Sequence, residues 1–385
     1  MSYLSNESSV VSSSAGTDGG RDSLPGPPRP EPRGPLSTAV LLALQQPSGS
    51  LIQIPSVVGI DALADDDLQL ALYLCYELHY RGLVGADPGW EWDPGLLGLR
   101  AVLERAFLDR LHEEIGPAQP TFGGGIREAL VELIVGESGP SLSTFLLEQG
   151  TFCQFQEFCV HRSAYQLKEA DPHTFAIPRI CGEAKAAMVE IQHDEYGNGD
   201  GDEMHSTLFA ATMTALHLDP VYGVYVDRLP GTTLATVNLV SMFALHRRWR
   251  GALIGHLAVF EMTSVEPMGR YSRTLDRMGI GLEARRFYDV HVEADVRHGI
   301  IALERMVTGL MEAEPHLGAD LLFGAAAVLM VEGRFAHHLL DAWSESRSSL
   351  LAANLTGPAS LQRRAPDASR LPPVLGPLDI QAGIS

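Results

Sequence analysis

Positive charge, paired cysteines and long apolar runs are all scarce in this 385-residue chain. Lysine and arginine number 28 against 48 aspartates and glutamates, a formal net charge of −20. That sign repels phosphate backbones and anionic bilayers, so neither nucleic acid nor a membrane is expected as a partner. The four cysteines, Cys75, Cys153, Cys159 and Cys181, include no Cys-x-x-Cys pair, which disfavours structural zinc, a thioredoxin-type site and a disulfide framework. The longest strongly apolar stretch, Leu321–Val331, is about half of the roughly 20 residues that a helix needs to span a bilayer. No basic segment followed by an apolar core opens the chain, and the expected location is cytoplasmic. β-branched alternating runs are also rare, which argues against sheet.

The chain does have helical periodicity, with 45% hydrophobic and 20% charged residues. The reading is all-α. Residues 1–49, with the run Pro25-Gly-Pro-Pro-Arg-Pro-Glu-Pro-Arg-Gly34, are expected to be a disordered arm and linker. Residues 58–150 read as a helical N-terminal region, 151–345 as the main domain and 346–385 as a flexible tail. Within the main domain helices are predicted at about 152–169, 178–196, 204–217, 231–246, 250–264, 282–312 and 319–344, separated by Gly/Pro breaks.

Fourteen histidines in an acidic chain make their placement the question, because imidazoles beside carboxylates are ligands of redox-active metals. On the predicted helix Cys181–His193, Glu183, Glu190 and His193 fall on one side, within an arc of about 80° at 3.6 residues per turn. On the helix Phe287–His298, His291, Asp295 and His298 do the same at offsets of 4 and 7. Glu190-x-x-His193 and Asp295-x-x-His298 are thus two acid-x-x-His units on separate helices, the arrangement by which helix bundles build dinuclear carboxylate sites. One such unit alone carries little weight: Asp109-Arg-Leu-His112 reads as a solvated face. Here the flanking residues are apolar, Ala186, Ala187, Met188, Val189 and Ile191 on one helix and Val292, Val296, Ile300 and Ile301 on the other. Buried carboxylates without cations would cost several kcal/mol each, so a metal is the simplest explanation. Adding Glu157 gives four carboxylates and three imidazoles, whose charge balances two divalent cations. The competing reading is surface acids and core histidines.

The set Glu157, Glu183-x6-Glu190-x2-His193 and His291-x3-Asp295-x2-His298 resembles the ligand pattern of the haem-oxygenase-like diiron oxidases and oxygenases, the iron-containing redox enzymes, over roughly residues 150–345. The resemblance implies a haem-oxygenase-like helical bundle, extended here by the N-terminal helical region. It also implies two Fe(II) ions, no haem, and O2 as co-substrate. The implied activity is oxidation of a small metabolite, such as an amino acid or related compound, in natural-product biosynthesis. Either N-oxygenation or C–H cleavage leading to desaturation, cyclisation or fragmentation fits, and an external electron donor and a homodimer are both compatible. Mixed carboxylate and imidazole ligation suits manganese as well as iron, and does not say which ligand serves which ion. The alternative is a non-catalytic iron-binding or regulatory helical protein. His161, one turn after Glu157, and Glu261, an acid within an apolar helix, are candidates for contacts to ligands or substrate.

Overall fold

Local sequence explains where the helices begin and stop. In the computed structural model, which describes residues 26–116, 125–137 and 139–352, helix α1 spans Pro35–Ala43 and α2 spans Asp66–Glu77. The Asp65 carboxylate caps α2 by accepting from the backbone N–H groups of Asp67 and Leu68, which would otherwise be orphaned at the helix start. Asp93 caps α3, Pro94–Ile115, in the same way, and Gly116 at φ 73° ends it. Helices α4 (Ile126–Gly136) and α5 (Leu142–Glu148) follow. Helix α6, Phe152–Gln166, opens on a Thr151/Gln154 capping box. After it come α7 (Asp171–Thr174), α8 (Gly182–Glu195), α9 (His205–Ala215), α10 (Gly231–Leu245), α11 (Arg250–Thr263) and α12 (Val265–Arg277). Helix α13, Leu282–Ile301, runs through a π-helical turn at Ala302–Val307 into α14, Thr308–Ala313, and α15 spans Gly318–Ser344. No strand occurs among the described residues, so the all-α expectation holds.

The helices share one core that runs from Leu36 to Trp343, and the expected boundary near residue 150 is no break in it. Helices α2 and α10 lie together, joined where the Asn238 Nδ2 donates to Gln69 O at 2.8 Å and Gln69 Oε1 at 2.7 Å. Helices α11 and α15 approach through glycine: a Cβ at Gly255 would collide with the Leu321 carbonyl, and one at Gly324 with that of Ala252. Helix Pro315–Ser344 is long and apolar enough to cross a bilayer by length and composition, yet half of its apolar window is buried in the bundle.

Two expectations need correction. Residues 26–49, assigned to a disordered arm, lie against the body. Leu36, Val40 and Leu41 of α1 are buried. Glu31 N donates to Asp227 at 2.8 Å, Arg33 to Val226 O at 2.6 Å, and Val84 N to Pro27 O at 3.1 Å. A proline-rich segment needs few apolar side chains when its carbonyls and flanking arginines find partners. Helix α12 was missed because its buried face holds only Tyr271, Ser272, Thr274 and Leu275, too polar to stand out. Residues 1–25 and 353–385 of the expected arm and tail lie outside the described residues.

Candidate metal centre

The inward stripe of α13 holds Ala284, Phe287, Tyr288, His291, Asp295, His298 and Ile301, so three potential ligands point where apolar residues set the register. Two groups of donor atoms form around them, each within 4.8 Å of one another. Glu169, Glu195, His205 and His291 make the first group, and Glu195, Glu261, Asp295 and His298 the second. Glu195 belongs to both. It ends α8, His205 begins α9, Glu261 lies on α11, and Glu169 sits on the turn after α6.

The distances leave room for ions between the donors. His205 Nδ1 stands 2.9 Å from Glu195 Oε2, and His291 Nε2 3.7 Å from Glu169 Oε1. His298 Nδ1 lies 3.3 Å from Glu261, 3.4 Å from Asp295 and 3.8 Å from Glu195. Glu169 Oε2, His205 Nδ1, Asp295 Oδ1 and His298 Nδ1 are buried with no hydrogen-bond partner among the described residues. Orphaned polar atoms of this kind cost free energy unless something satisfies them, and with two such residues in each donor group a cation in each would do so. Outer contacts fix the rings: His298 Nε2 pairs with Asp194 Oδ2 at 2.9 Å, and His291 Nδ1 with Phe287 O at 2.7 Å. Ser264 donates to Asp295 Oδ2 at 2.6 Å. Each bond turns the remaining donor atom toward the cluster.

Electrostatics points the same way. Burial raises the Glu169 carboxyl and pushes Glu261 up to about 8. Burial also opposes charge on Glu195, yet the imidazoles of His205, His291 and His298 hold it down at about 2. At His291 and His298 burial disfavours the imidazolium, but the carboxylates, Glu169 first for one and Asp295 and Glu261 for the other, raise them to about 10 and about 11. The carboxylates around them hold protons on His291 and His298 for want of another cation. Two divalent ions would balance the four acids and leave the three imidazoles neutral, as ligation requires.

Of the residues expected from sequence, His291, Asp295, His298 and Glu261 come together here, and the other five do not. Glu183 and Glu190 lie on the outer face of α8, where Arg305 of the π-helical turn pairs with both. His193 is exposed and bonds to Asn198 Oδ1 at 2.9 Å. The three do share a face, but the inward face is the one with Ala184, Ala187, Met188, Ile191 and Glu195. Glu157 Oε2 accepts instead from Trp343 Nε1 at 2.9 Å and from Ser349 N and Oγ at 2.9 and 2.7 Å, anchoring the end of the described chain. His161 is a buried link between Thr233 at 2.7 Å and Ser349 at 3.0 Å, away from the cluster.

Beside the cluster is a cavity of about 250 Å3, walled by Phe158, Phe260, Met268, Tyr271, Val328 and Leu329, into which Glu169, Glu195, Glu261, His291 and Asp295 also open. A mostly apolar pocket with a few polar groups at one point is the usual form of a small-molecule site.

Comparison with known proteins agrees with this chemistry. The chain is 25% identical over 147 residues to a nitrosourea synthase of Streptomyces achromogenes subsp. streptozoticus, a match covering 38% of this chain and 31% of that protein. The chain thus spans less than a third of that relative's length. The family match falls on the segment that carries all seven clustered residues: residues 156–333 are similar to the iron-containing redox enzymes.

Proposed function

We propose that this protein is a dioxygen-dependent oxidase or oxygenase with a non-haem diiron centre. Glu169, His205 and His291 would hold one iron and Glu261, Asp295 and His298 the other, with Glu195 available to both. The observation that carries the reading is the shared carboxylate: a single buried Glu195 offers donors to two groups that otherwise do not overlap. Carboxylate and imidazole ligation without thiolates suits ferrous ions and leaves positions open for small molecules. Bound iron supplies the activation of dioxygen. The chain supplies geometry. Asp194 and the Phe287 carbonyl orient two imidazoles, Ser264 holds one Asp295 oxygen, and the apolar cavity wall keeps water from the reacting centre. The substrate is a small metabolite, and oxidation at nitrogen is favoured over C–H cleavage: a nitrosourea contains a nitrogen–oxygen bond, and the relative is named for making one.

The test is iron content and dioxygen uptake after anaerobic reconstitution with ferrous ion. Wild-type protein and the Glu183→Ala/Glu190→Ala variant should each bind two irons per chain, Glu195→Ala should bind neither tightly, and ferrous wild type should consume dioxygen. Two irons retained by Glu195→Ala, or lost from the Glu183/Glu190 variant, would place the centre elsewhere. Ferrous protein inert to dioxygen would end the oxidase reading.

A further inference from the structure

The cavity beside the cluster also contains a charged pair that the metal centre does not use. Arg162 of α6 and Glu332 of α15 both line it. They form a two-pronged ion pair, Arg162 Nη1 to Glu332 Oε1 at 2.9 Å and Nη2 to Oε2 at 2.6 Å. The guanidinium lies over aromatic rings, its central carbon 4.4 Å from the Phe335 centroid and 5.6 Å from that of Phe158. The pair is not sealed off: the side chains keep 18% and 24% of their accessible surface. We propose that Arg162 and Glu332 are the head-group subsite for a zwitterionic α-amino acid, its carboxylate on Arg162 and its ammonium on Glu332. The substrate's side chain then runs along the apolar wall to the metal cluster. The proposal rests on the oxidoreductase reading for what happens at the far end.

Charge balance selects the zwitterion. A simple carboxylate drawn to Arg162 meets the Glu332 carboxylate beside it, and a simple amine drawn to Glu332 meets the guanidinium. Each would have to break a partly desolvated pair and leave one charge uncompensated. A zwitterion presents opposite charges to both partners and leaves none unpaired. Geometry selects length. Arg162 and Glu169 are seven residues apart along α6 and the turn that continues it, about 10 Å at the helical rise. The same cavity is walled by Phe158, Phe260, Met268, Val328 and Leu329, an apolar lining for a substrate side chain of several atoms.

The experiment uses zinc-loaded full-length protein, which binds without turning over, and competition measured by ligand-observed NMR. The probes are linear-chain L-amino acids from norvaline to arginine, each with its decarboxylated amine and its deaminated acid. At least one amino acid should bind tenfold or more tighter than both of its truncated counterparts. In Arg162→Met/Glu332→Met that preference should fall to within twofold. The double replacement removes both charges together, a change that buried pairs generally tolerate, so the fold and zinc content should match wild type. The proposal is overturned when no amino acid outbinds its counterparts in wild type, or when the preference survives the double variant. Dioxygen uptake by the ferrous protein is scored separately, so a zwitterion site on a protein inert to dioxygen would be recognised as such.

Discussion

Lys168 stands immediately before Glu169, and its replacement separates a tether from a ligand. Its ammonium is 1% exposed and meets the fully buried Glu77 of α2 at 3.0 Å. The Tyr80 ring lies 4.1 Å from it, and Tyr222 donates to the same Glu77 oxygen at 2.6 Å. The neighbouring Leu167 carbonyl accepts from Arg81 at 3.1 Å. The N-terminal helices therefore grip the turn that presents Glu169. Lys168→Met keeps the length and removes the charge, leaving the buried Glu77 without a counter-charge at a cost of about 3–5 kcal/mol. For a protein of this size that lowers Tm by about 4–6 °C. Replacing both partners, Lys168→Met/Glu77→Met, should recover most of the loss, because paired apolar side chains need no compensation.

Metal affinity should respond differently from stability. Both variants lose the tether, so both should weaken the iron site that uses Glu169, while only the single variant is markedly unstable. The assays are urea unfolding of metal-free protein and ferrous titration of each form. A Lys168→Met variant within about 1 kcal/mol of wild type, or one less damaged than the double variant, would refute the burial argument.

Two other outcomes follow from the same structure. In the metal-free cluster His291 at about 10 and His298 at about 11 both lie above the ordinary histidine value, so their protonation stabilises the metal-free fold fully below about pH 6.5. That contribution should be lost as pH rises toward 10–11, while the affinity for each iron climbs by up to about one order of magnitude per pH unit above pH 7 because each displaces one of these imidazole protons. Flat denaturation and binding profiles across that range would contradict it. Deleting residues 1–34 removes the bonds that Arg29, Glu31 and Arg33 make to Leu44, Asp227 and Val226, together with Val84 N to Pro27 O. At about 1 kcal/mol each this should cost several degrees of Tm, and an unchanged melting curve would show that the segment contributes nothing.

How much of this was legible depends on what fixes the direction of each side chain. On α13 the ligands sit in the same stripe as Ala284, Phe287 and Tyr288, so the face that the offsets and the acid-x-x-His motif picked out is the inward one. Glu261 was visible for a related reason, as an acid in register with the buried Ile254, Leu257 and Ala258 of α11. On α8 the offsets among Glu183, Glu190 and His193 identified a shared face but not which face it was. Anchoring to the apolar residues would have decided it: stepping from Ala184 through Ala187, Met188 and Ile191 by threes and fours reaches Glu195, eleven residues on and within about 20° of the start. Two ligand candidates carried no such signal. His205 is the first residue of α9 and Glu169 lies on a turn, so neither has a periodic neighbourhood, and only tertiary contacts such as Lys168 with Glu77 place them. The acid-x-x-His motif is therefore informative on a helix only after the buried stripe has set its phase. Without that phase a solvated pair neutralised by Arg305 and a buried pair awaiting a cation look the same in sequence.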